Sequence, residues 1–499
     1  MNPYLLPVPA GLPLPLNNLH AVSVSLPTMK DVIGYEENNI AVISKMESGY
    51  PRFFMNKLVE KLSAFLREKH QISDEFEMLP LMSHHSLDIV KRKFNDSFTF
   101  IDENGCIFLL IGKTDTNLQP VKDFVRHAGI LLSSRKAEDV LFSLGLIQEK
   151  QSEAVHENAD AAAVIKGNLW NAYGAGSSEN VFLCSSGMNA VYAVFEAIIG
   201  LTRNKEKSTI LQAGWLYLDT LEIIRKFSSN SMLMTSVTDL SKLEEKIIKD
   251  HQAIGAVFTE IPNNPLLECL DLPRLYAICQ KYNIPLIADA TIGTAYNLNI
   301  LPFCDVAIES LTKFACGKGD VLMGAIILNP LSWFAGVFEK LLLPNIIDPY
   351  SRDQSRLALN IEGYENRVQT VSANTKVIID YLEKSSAVKE VHSVLHAASH
   401  ENFLKIRRHP GALPGLISVV FKKQLVFYYD KLNIPKGPSL GTEFSLAMPY
   451  VYLAHYDKVK TQAGRDELIQ MGLHPELLRI SIGIEPVEEI ISALKTAGI

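Results

Sequence analysis

From about residue 180 the chain alternates between two patterns. Residues 208–212, 256–260, 284–288 and 324–328 are short, mostly apolar runs, the pattern of strands buried on both faces. Between several of them, at 241–251 and 272–282, apolar residues recur three and four apart and predict amphipathic helices. Alternation of strands and helices predicts a mainly parallel sheet with helices on both faces. In such sheets ligands sit beyond the carboxyl ends of the strands.

The last third reads differently. A long helical stretch over 365–384 leads into strands at 416–421, 444–448 and 478–482, then a closing helix at 486–496. Residues 98–110 predict a hairpin turning at Asn104-Gly105, with helical stretches near 121–132 and 137–146. A further helix is expected over 56–65. The acidic, alanine-rich stretch 150–162 reads as a linker, and there is no internal repeat. These shifts divide the chain into an N-terminal arm and helix (1–65), an inserted α+β element (66–160), a large domain (161–345) and a small C-terminal domain (346–499).

Composition narrows the class. The chain has 499 residues, 47% hydrophobic and 21% charged, ordinary values for a soluble globular protein. A net charge of -7 without a basic run argues against nucleic acid as a partner. Apolar stretches are interrupted well before roughly 18 residues, so no transmembrane helix is expected. Residues 1–16 lack a basic leader and read as an extended arm rather than a signal peptide. Cys106, Cys184, Cys269, Cys279, Cys304 and Cys316 are scattered without a C-x-x-C, which fits a reducing, cytoplasmic setting.

The candidate chemistry falls at the predicted strand ends. Lys313 follows the apolar run Val306-Ala307-Ile308 and is flanked by Ser310 and Thr312. A lysine between two hydroxyls there suits pyridoxal phosphate (PLP): the amine condenses with its aldehyde and the hydroxyls bind its phosphate. Ser186-Gly187-Met188, between an apolar run and a helical pattern, is either an anion cradle of backbone N–H groups or a plain turn. Asp289 either pairs with the pyridine nitrogen, keeping the ring an electron sink, or caps a helix. No carboxylate or histidine accompanies it at ligand spacing, so no metal is expected. Tyr217 either stacks on the ring and moves protons or packs in the core. Asn264 either hydrogen-bonds the cofactor's phenolic oxygen or belongs to a proline-rich turn. Arg479, a charge inside the apolar stretch 477–481, needs an anion: a substrate α-carboxylate, which its planar fork fits, or a structural glutamate. His84-His85 and His400 lack partners at useful spacing and are assigned to surface or core.

Together these stretches resemble the Cys/Met-metabolism family of PLP enzymes. In that family an S-G-M turn, a ring-stacking Tyr, an E-x-P-x-N-P segment, a D-x-T segment and an S-x-T-K lysine occur in this order. Here they are Ser186-Gly187-Met188, Tyr217, Glu260 to Pro265, Asp289-Ala290-Thr291 and Ser310 to Lys313. Ser439-Leu440-Gly441 and Leu478-Arg479-Ile480-Ser481 resemble the family's substrate-carboxylate segments. Gly49-Tyr50-Pro51-Arg52 resembles the Y-x-R segment that members send from a neighbouring subunit to the cofactor phosphate. The resemblance implies a fold-type I PLP-dependent transferase, similar to aspartate aminotransferase, with a large mixed-sheet domain and a small α+β domain. It also implies a homo-oligomer, a dimer with shared sites or a tetramer.

Arg52 and Ser186 stand 186 − 52 = 134 positions apart, more than the family's usual spacing, so 66–160 contains an insertion. With the N-terminal segments it is most similar to the longer fungal-type cystathionine γ-synthases. That resemblance implies γ-replacement on an O-activated homoserine with cysteine as nucleophile. A γ- or β-lyase and γ-replacement with another nucleophile share every motif. Leu218-Asp219 departs from the glycine pair that usually follows the stacking Tyr, and Pro438 stands where some bacterial synthases carry a glutamate.

Overall fold

The computed structural model describes residues 5–157, 160–202 and 207–499. Met1 to Tyr4 of the arm and two residues of the expected linker lie outside them. The large domain is built on a seven-stranded sheet. Its strands run Val181–Cys184, Gly324–Leu328, Val306–Ser310, Leu286–Asp289, Ile254–Glu260, Thr209–Ala213 and Asn230–Met234 across the sheet. Only Gly324–Leu328 runs against the others. All seven residues of Ile254–Glu260 are buried, as its mostly apolar sequence suits near the centre of the sheet. Asn230–Met234, whose first two residues are exposed, forms an edge. The sheet follows the sequence expectation of a mainly parallel core covered by helices.

The small domain is a four-stranded antiparallel sheet in the order Val388–His392, Leu416–Phe421, Leu478–Ser481, Leu446–Pro449. The strand expected over 444–448 starts later, because the Glu485 carboxylate takes the Ser445 N–H and hydroxyl out of the ladder. The helix Tyr364–Lys384 packs on this sheet with the closing helix Val487–Thr496.

The inserted element is a three-stranded sheet, Phe76–Leu81, Cys106–Gly112 and Thr99–Glu103, with three helices. Its hairpin turns at Asn104-Gly105, both at positive φ, as expected. Alternation along Cys106–Gly112 buries two faces. Ile107, Leu109 and Ile111 face the core around helix Gly187–Thr202, while Cys106 and Phe108 face Leu58, Leu62 and Leu66 of the arm helix Lys57–Lys69. The element is therefore sandwiched between arm and large domain and shares both cores. The helix expected over 121–132 ends at Ala128, because Gly129 adopts a left-handed φ of 63° and stops it. Phe108→Ala is expected to lower the unfolding free energy by about 3–5 kcal/mol in a denaturant titration. A loss below about 1 kcal/mol would mean that the two faces are not packed as described.

Candidate functional site

Five strands of the large sheet deliver side chains to one end. Asp289 ends its strand, and Ser310 ends the next, three residues before Lys313. The turn after Thr209–Ala213 carries Tyr217 to the start of helix Leu218–Phe227. Asn264 follows Ile254–Glu260, and Ser186 follows Val181–Cys184. The small domain brings Arg479 and Ser439, and the arm brings Tyr50 and Arg52.

Lys313 is the centre of this convergence. Its Nζ donates to Ser439 Oγ at 2.9 Å and to the Tyr50 hydroxyl at 3.3 Å. Burial draws the ammonium below its ordinary lysine value, opposed by Tyr50. Burial alone would raise the Tyr50 phenol, but Lys313 and Arg52 beside it bring it below the ordinary tyrosine value. A buried amine and a softened phenol in contact form a pair able to exchange a proton.

Arg479 lies on the far side of Ser439. Its guanidinium donates to the Ser439 carbonyl at 2.7 Å and to Asn264 Oδ1 at 3.2 Å, and it sits 5.3 Å from the centre of the Tyr450 ring. It forms no ion pair among the described residues, so the structural glutamate considered from sequence is not its partner. Ser439 holds both contacts from a backbone φ of 99°, a conformation rare outside glycine.

Asp289 Oδ1 accepts the Thr291 N–H at 2.8 Å, and Thr291 Oγ1 accepts the Ser310 N–H at 2.9 Å. Burial raises Asp289 above its ordinary value, opposed by its bonds to Thr291. Glu260, buried and near Asp289, is pushed well above its ordinary value, and its Oε2 has no hydrogen-bond partner. Two buried carboxyls without an ion-pair partner among the described residues suit a ligand that brings positive charge, as a protonated pyridine nitrogen does.

The serine turn makes a close junction with the lysine strand. A Cβ on Gly187 would stand 2.8 Å from Ser310 Cβ, so only glycine lets the helix start reach the strand end. Ser186 Oγ accepts the Asn189 N–H at 3.0 Å and donates to the Gly129 carbonyl at 2.9 Å. Its hydroxyl thus caps the helix and ties down the inserted element. The N–H groups of Gly187 and Met188 stay without an acceptor among the described residues, the donor set an oxyanion needs. Thr312 Oγ1 accepts the Met323 N–H at 3.2 Å, steadying the turn before Lys313. Arg52 and Ser185 border a cavity of about 410 Å³ between arm, inserted element and large domain. An amine, an anion cradle, a nearby guanidinium and buried acids form a set that fits PLP.

Two arrangements lie beyond the sequence reading. Tyr50 and Arg52, expected to serve a neighbouring subunit, reach Lys313 and Tyr217 of their own chain. Arg52 pairs with Asp219 at 2.6 Å and donates to the Tyr217 hydroxyl. Tyr217 is thus held by its hydroxyl, and burial raises it well above its ordinary value. The second difference is a set of residues the motifs did not supply: His127, Met448, Tyr450 and the pairing role of Asp219. The bulk and charge at Asp219, where a glycine was expected, were the available signal. His84 makes a surface ion pair with Asp102. No group of metal-ligating side chains occurs, and no helix is long and apolar enough to cross a membrane, among the described residues.

Comparison with known proteins agrees with this geometry. The model of the family described as Cys/Met metabolism PLP-dependent enzyme matches residues 169–497. The chain is 35% identical over 489 residues to an L-2-amino-4-chloropent-4-enoate dechlorinase/desaturase of Streptantibioticus cattleyicolor, covering 97% of each chain. It is 28% identical over 616 residues to a cystathionine gamma-synthase of Neurospora crassa, covering 98% of each. Among solved structures, a cystathionine gamma synthase from Xanthomonas oryzae pv. oryzae, in complex with aminoacrylate and cysteine, shares the fold with a TM-score of 0.58. That likeness has 19% identity and covers 71% of this chain and 89% of the other.

Proposed function

This chain belongs to the Cys/Met metabolism family of PLP-dependent enzymes, and from that premise we propose that it expels a leaving group from the γ-carbon of an α-amino acid by elimination. When bound, PLP withdraws electrons from the substrate's Cα through its ring. Lys313 is the group placed to take the Cα proton, with Tyr50 in contact to relay a second proton from Cβ. Arg479 holds the α-carboxylate, with Ser439 and Asn264 fixing its fork. Asp289 supports the pyridine nitrogen, and the Gly187 and Met188 N–H groups with Arg52 receive the phosphate. Loss of the Cα and Cβ protons and rupture of the bond from Cγ to the leaving group release that group with its electron pair.

The observation that carries elimination is the near end-to-end likeness to a relative named as a dechlorinase/desaturase, and the charges around Lys313 agree with it. Arg479 and Arg52 both lie close enough for their charges to act on Lys313. Arg479 is assigned to one carboxylate, and Arg52 is paired with Asp219. A second amino acid such as cysteine would need a second carboxylate partner. Beside Arg479 lie Met448 and the Tyr450 ring, both buried in an apolar cluster that also holds Trp215. The relative named as a dechlorinase/desaturase acts on a substrate whose chlorine sits on C4, the γ-carbon, and it aligns nearly end to end. The fungal alignment spans 616 positions, so at least 616 − 499 = 117 of them have no counterpart here.

A second reading is γ-replacement by cysteine on an O-activated homoserine, favoured by the likeness to the Neurospora synthase over 98% of both chains. The discriminating assay presents L-2-amino-4-chloropent-4-enoate and O-acetyl-, O-succinyl- and O-phosphohomoserine, each with and without cysteine, to mass spectrometry. Elimination predicts consumption of one substrate without cysteine and no cysteine-derived product. Cystathionine formed at a rate above that of any cysteine-free product would establish replacement instead.

A further inference from the structure

The turn that carries Lys313 is held from behind by a buried arginine that the reaction above does not use. Arg367 lies in the first turn of helix Tyr364–Lys384, with its side chain 5% exposed. Its Nε donates to the Phe314 carbonyl at 3.0 Å. Its Nη2 donates to the Ala315 carbonyl at 2.8 Å and to the Asn360 carbonyl at 2.9 Å. Its Nη1 pairs with Glu443 Oε1 at 3.0 Å. The Phe314 and Ala315 carbonyls have no backbone donor among the described residues, so the guanidinium supplies bonds that the turn does not make itself. Two glycines allow the close approach. A Cβ on Gly317 would stand 2.3 Å from Arg367 Nε, and one on Gly441 would stand 2.7 Å from the Phe314 nitrogen. The first lets the fork reach the turn, and the second lets Ser439-Leu440-Gly441 lie against it. Glu443 also donates its N–H to the Gly317 carbonyl at 2.7 Å and pairs with Lys318. Lys313 and Ser439, in contact at 2.9 Å, thus lie on two segments fastened together behind them.

We propose that Arg367 is a positioning residue for the reaction: through the Phe314 and Ala315 carbonyls and through Glu443, it seats the Lys313 amine against Ser439. The inference rests on reading Lys313 as the group that takes the Cα proton. Ser439 offers its hydroxyl to Lys313 and its carbonyl to Arg479 at 2.7 Å. The segment fastened by Glu443 therefore meets both the amine and the carboxylate fork. A guanidinium suits the place because one rigid group reaches three carbonyls and a carboxylate, which an ammonium does not. A misplacement of about 1 Å in a reacting group costs about 100-fold in rate, even when the altered residue is remote from the chemistry. Arg367 reaches Lys313 only through the backbone that follows it and through Glu443. Its loss should therefore change how fast the amine works rather than whether PLP is held.

The test is exchange of the Cα hydrogen of L-2-aminobutyrate for deuterium from solvent, followed by mass spectrometry on PLP-loaded enzyme. This amino acid carries no γ-leaving group, so the readout reports Lys313 whichever γ-reaction the enzyme performs. Arg367→Ala should slow exchange at saturating amino acid by about 10–100-fold, with borohydride-fixed PLP as in wild type. Arg367→Lys, which keeps the charge and loses the fork, should recover only part of the rate. If Arg367→Ala does not fold, Glu443→Gln decides. It keeps the carbonyl bonds and should slow exchange by about 3–10-fold, as one weakened hydrogen bond implies. Ser439→Ala removes the contact itself. If Arg367 works by making that contact, Ser439→Ala combined with Arg367→Lys should be little slower than the slower single variant. Losses that multiply would overturn the proposal. So would variants that melt lower yet exchange at the wild-type rate, since the arginine would then be a purely structural tie. A wild-type protein that binds no PLP, or binds it and exchanges no Cα hydrogen, would instead sink the reading of Lys313 on which the proposal rests.

Discussion

Lys313→Ala is expected to abolish the yellow, borohydride-reducible attachment of PLP and to slow turnover by about four orders of magnitude or more. The size of the effect follows from how many tasks one amine performs. Lys313 Nζ is the buried amine at the junction of arm, large domain and small domain, in contact with both Tyr50 and Ser439. Its burial favours the neutral form that attacks an aldehyde and accepts a proton. Truncation removes both functions and leaves Tyr50 without its proton partner. Removing a desolvated amine takes a polar group out of the interior, so the variant should stay folded in a thermal melt. A reducible chromophore surviving in Lys313→Ala would show that another lysine holds the cofactor.

Much of the fold was legible because its strands are buried on both faces. Runs such as Ile254–Glu260 and Gly324–Leu328 are too short for buried helices and are set between helical patterns, which marks them as buried strands. The candidate site was legible where a charge interrupts or ends an apolar run, as with Lys313 and Arg479, which the structure brings together on either side of Ser439. What stayed hidden depends on contacts between distant segments. Gly129 lies in an apolar stretch that looks helical to its end, and only its left-handed φ stops the helix. Ser445 leaves its strand because Glu485, forty residues away, captures its backbone. Asp219 was visible as an anomaly, but its partners Arg52 and His127 come from an arm and an insertion. Periodicity cannot pair such segments. A charged residue at a position where small ones are expected was the trace that long-range pairing left in the sequence.

Arg479→Ala is expected to keep the yellow colour while weakening amino-acid binding by about two to three orders of magnitude. The strand Leu478–Ser481 is buried throughout, and burial draws the guanidinium below its ordinary value. Its hydrogen-bond partners are neutral: the Ser439 carbonyl, Asn264 Oδ1 and Met448 sulfur. A buried cation satisfied only by dipoles is held at a cost, and an arriving carboxylate supplies the missing charge. Truncating one side of such a pair typically costs about 2–5 kcal/mol. Roughly 3–4 kcal/mol corresponds to the stated loss in affinity. Arg479→Lys should rescue little, because an ammonium cannot reach Ser439, Asn264 and two carboxylate oxygens with one fork. Asp289, Gly187 and Met188, the residues proposed to hold the cofactor, lie on the other domain, so PLP affinity should stay within about threefold of wild type, a shift worth under 1 kcal/mol. Titration with a non-reacting amino acid, followed by the change in PLP absorbance, separates the two effects. If Arg479→Ala titrates like wild type, the substrate carboxylate binds elsewhere and the fork serves the junction between the domains.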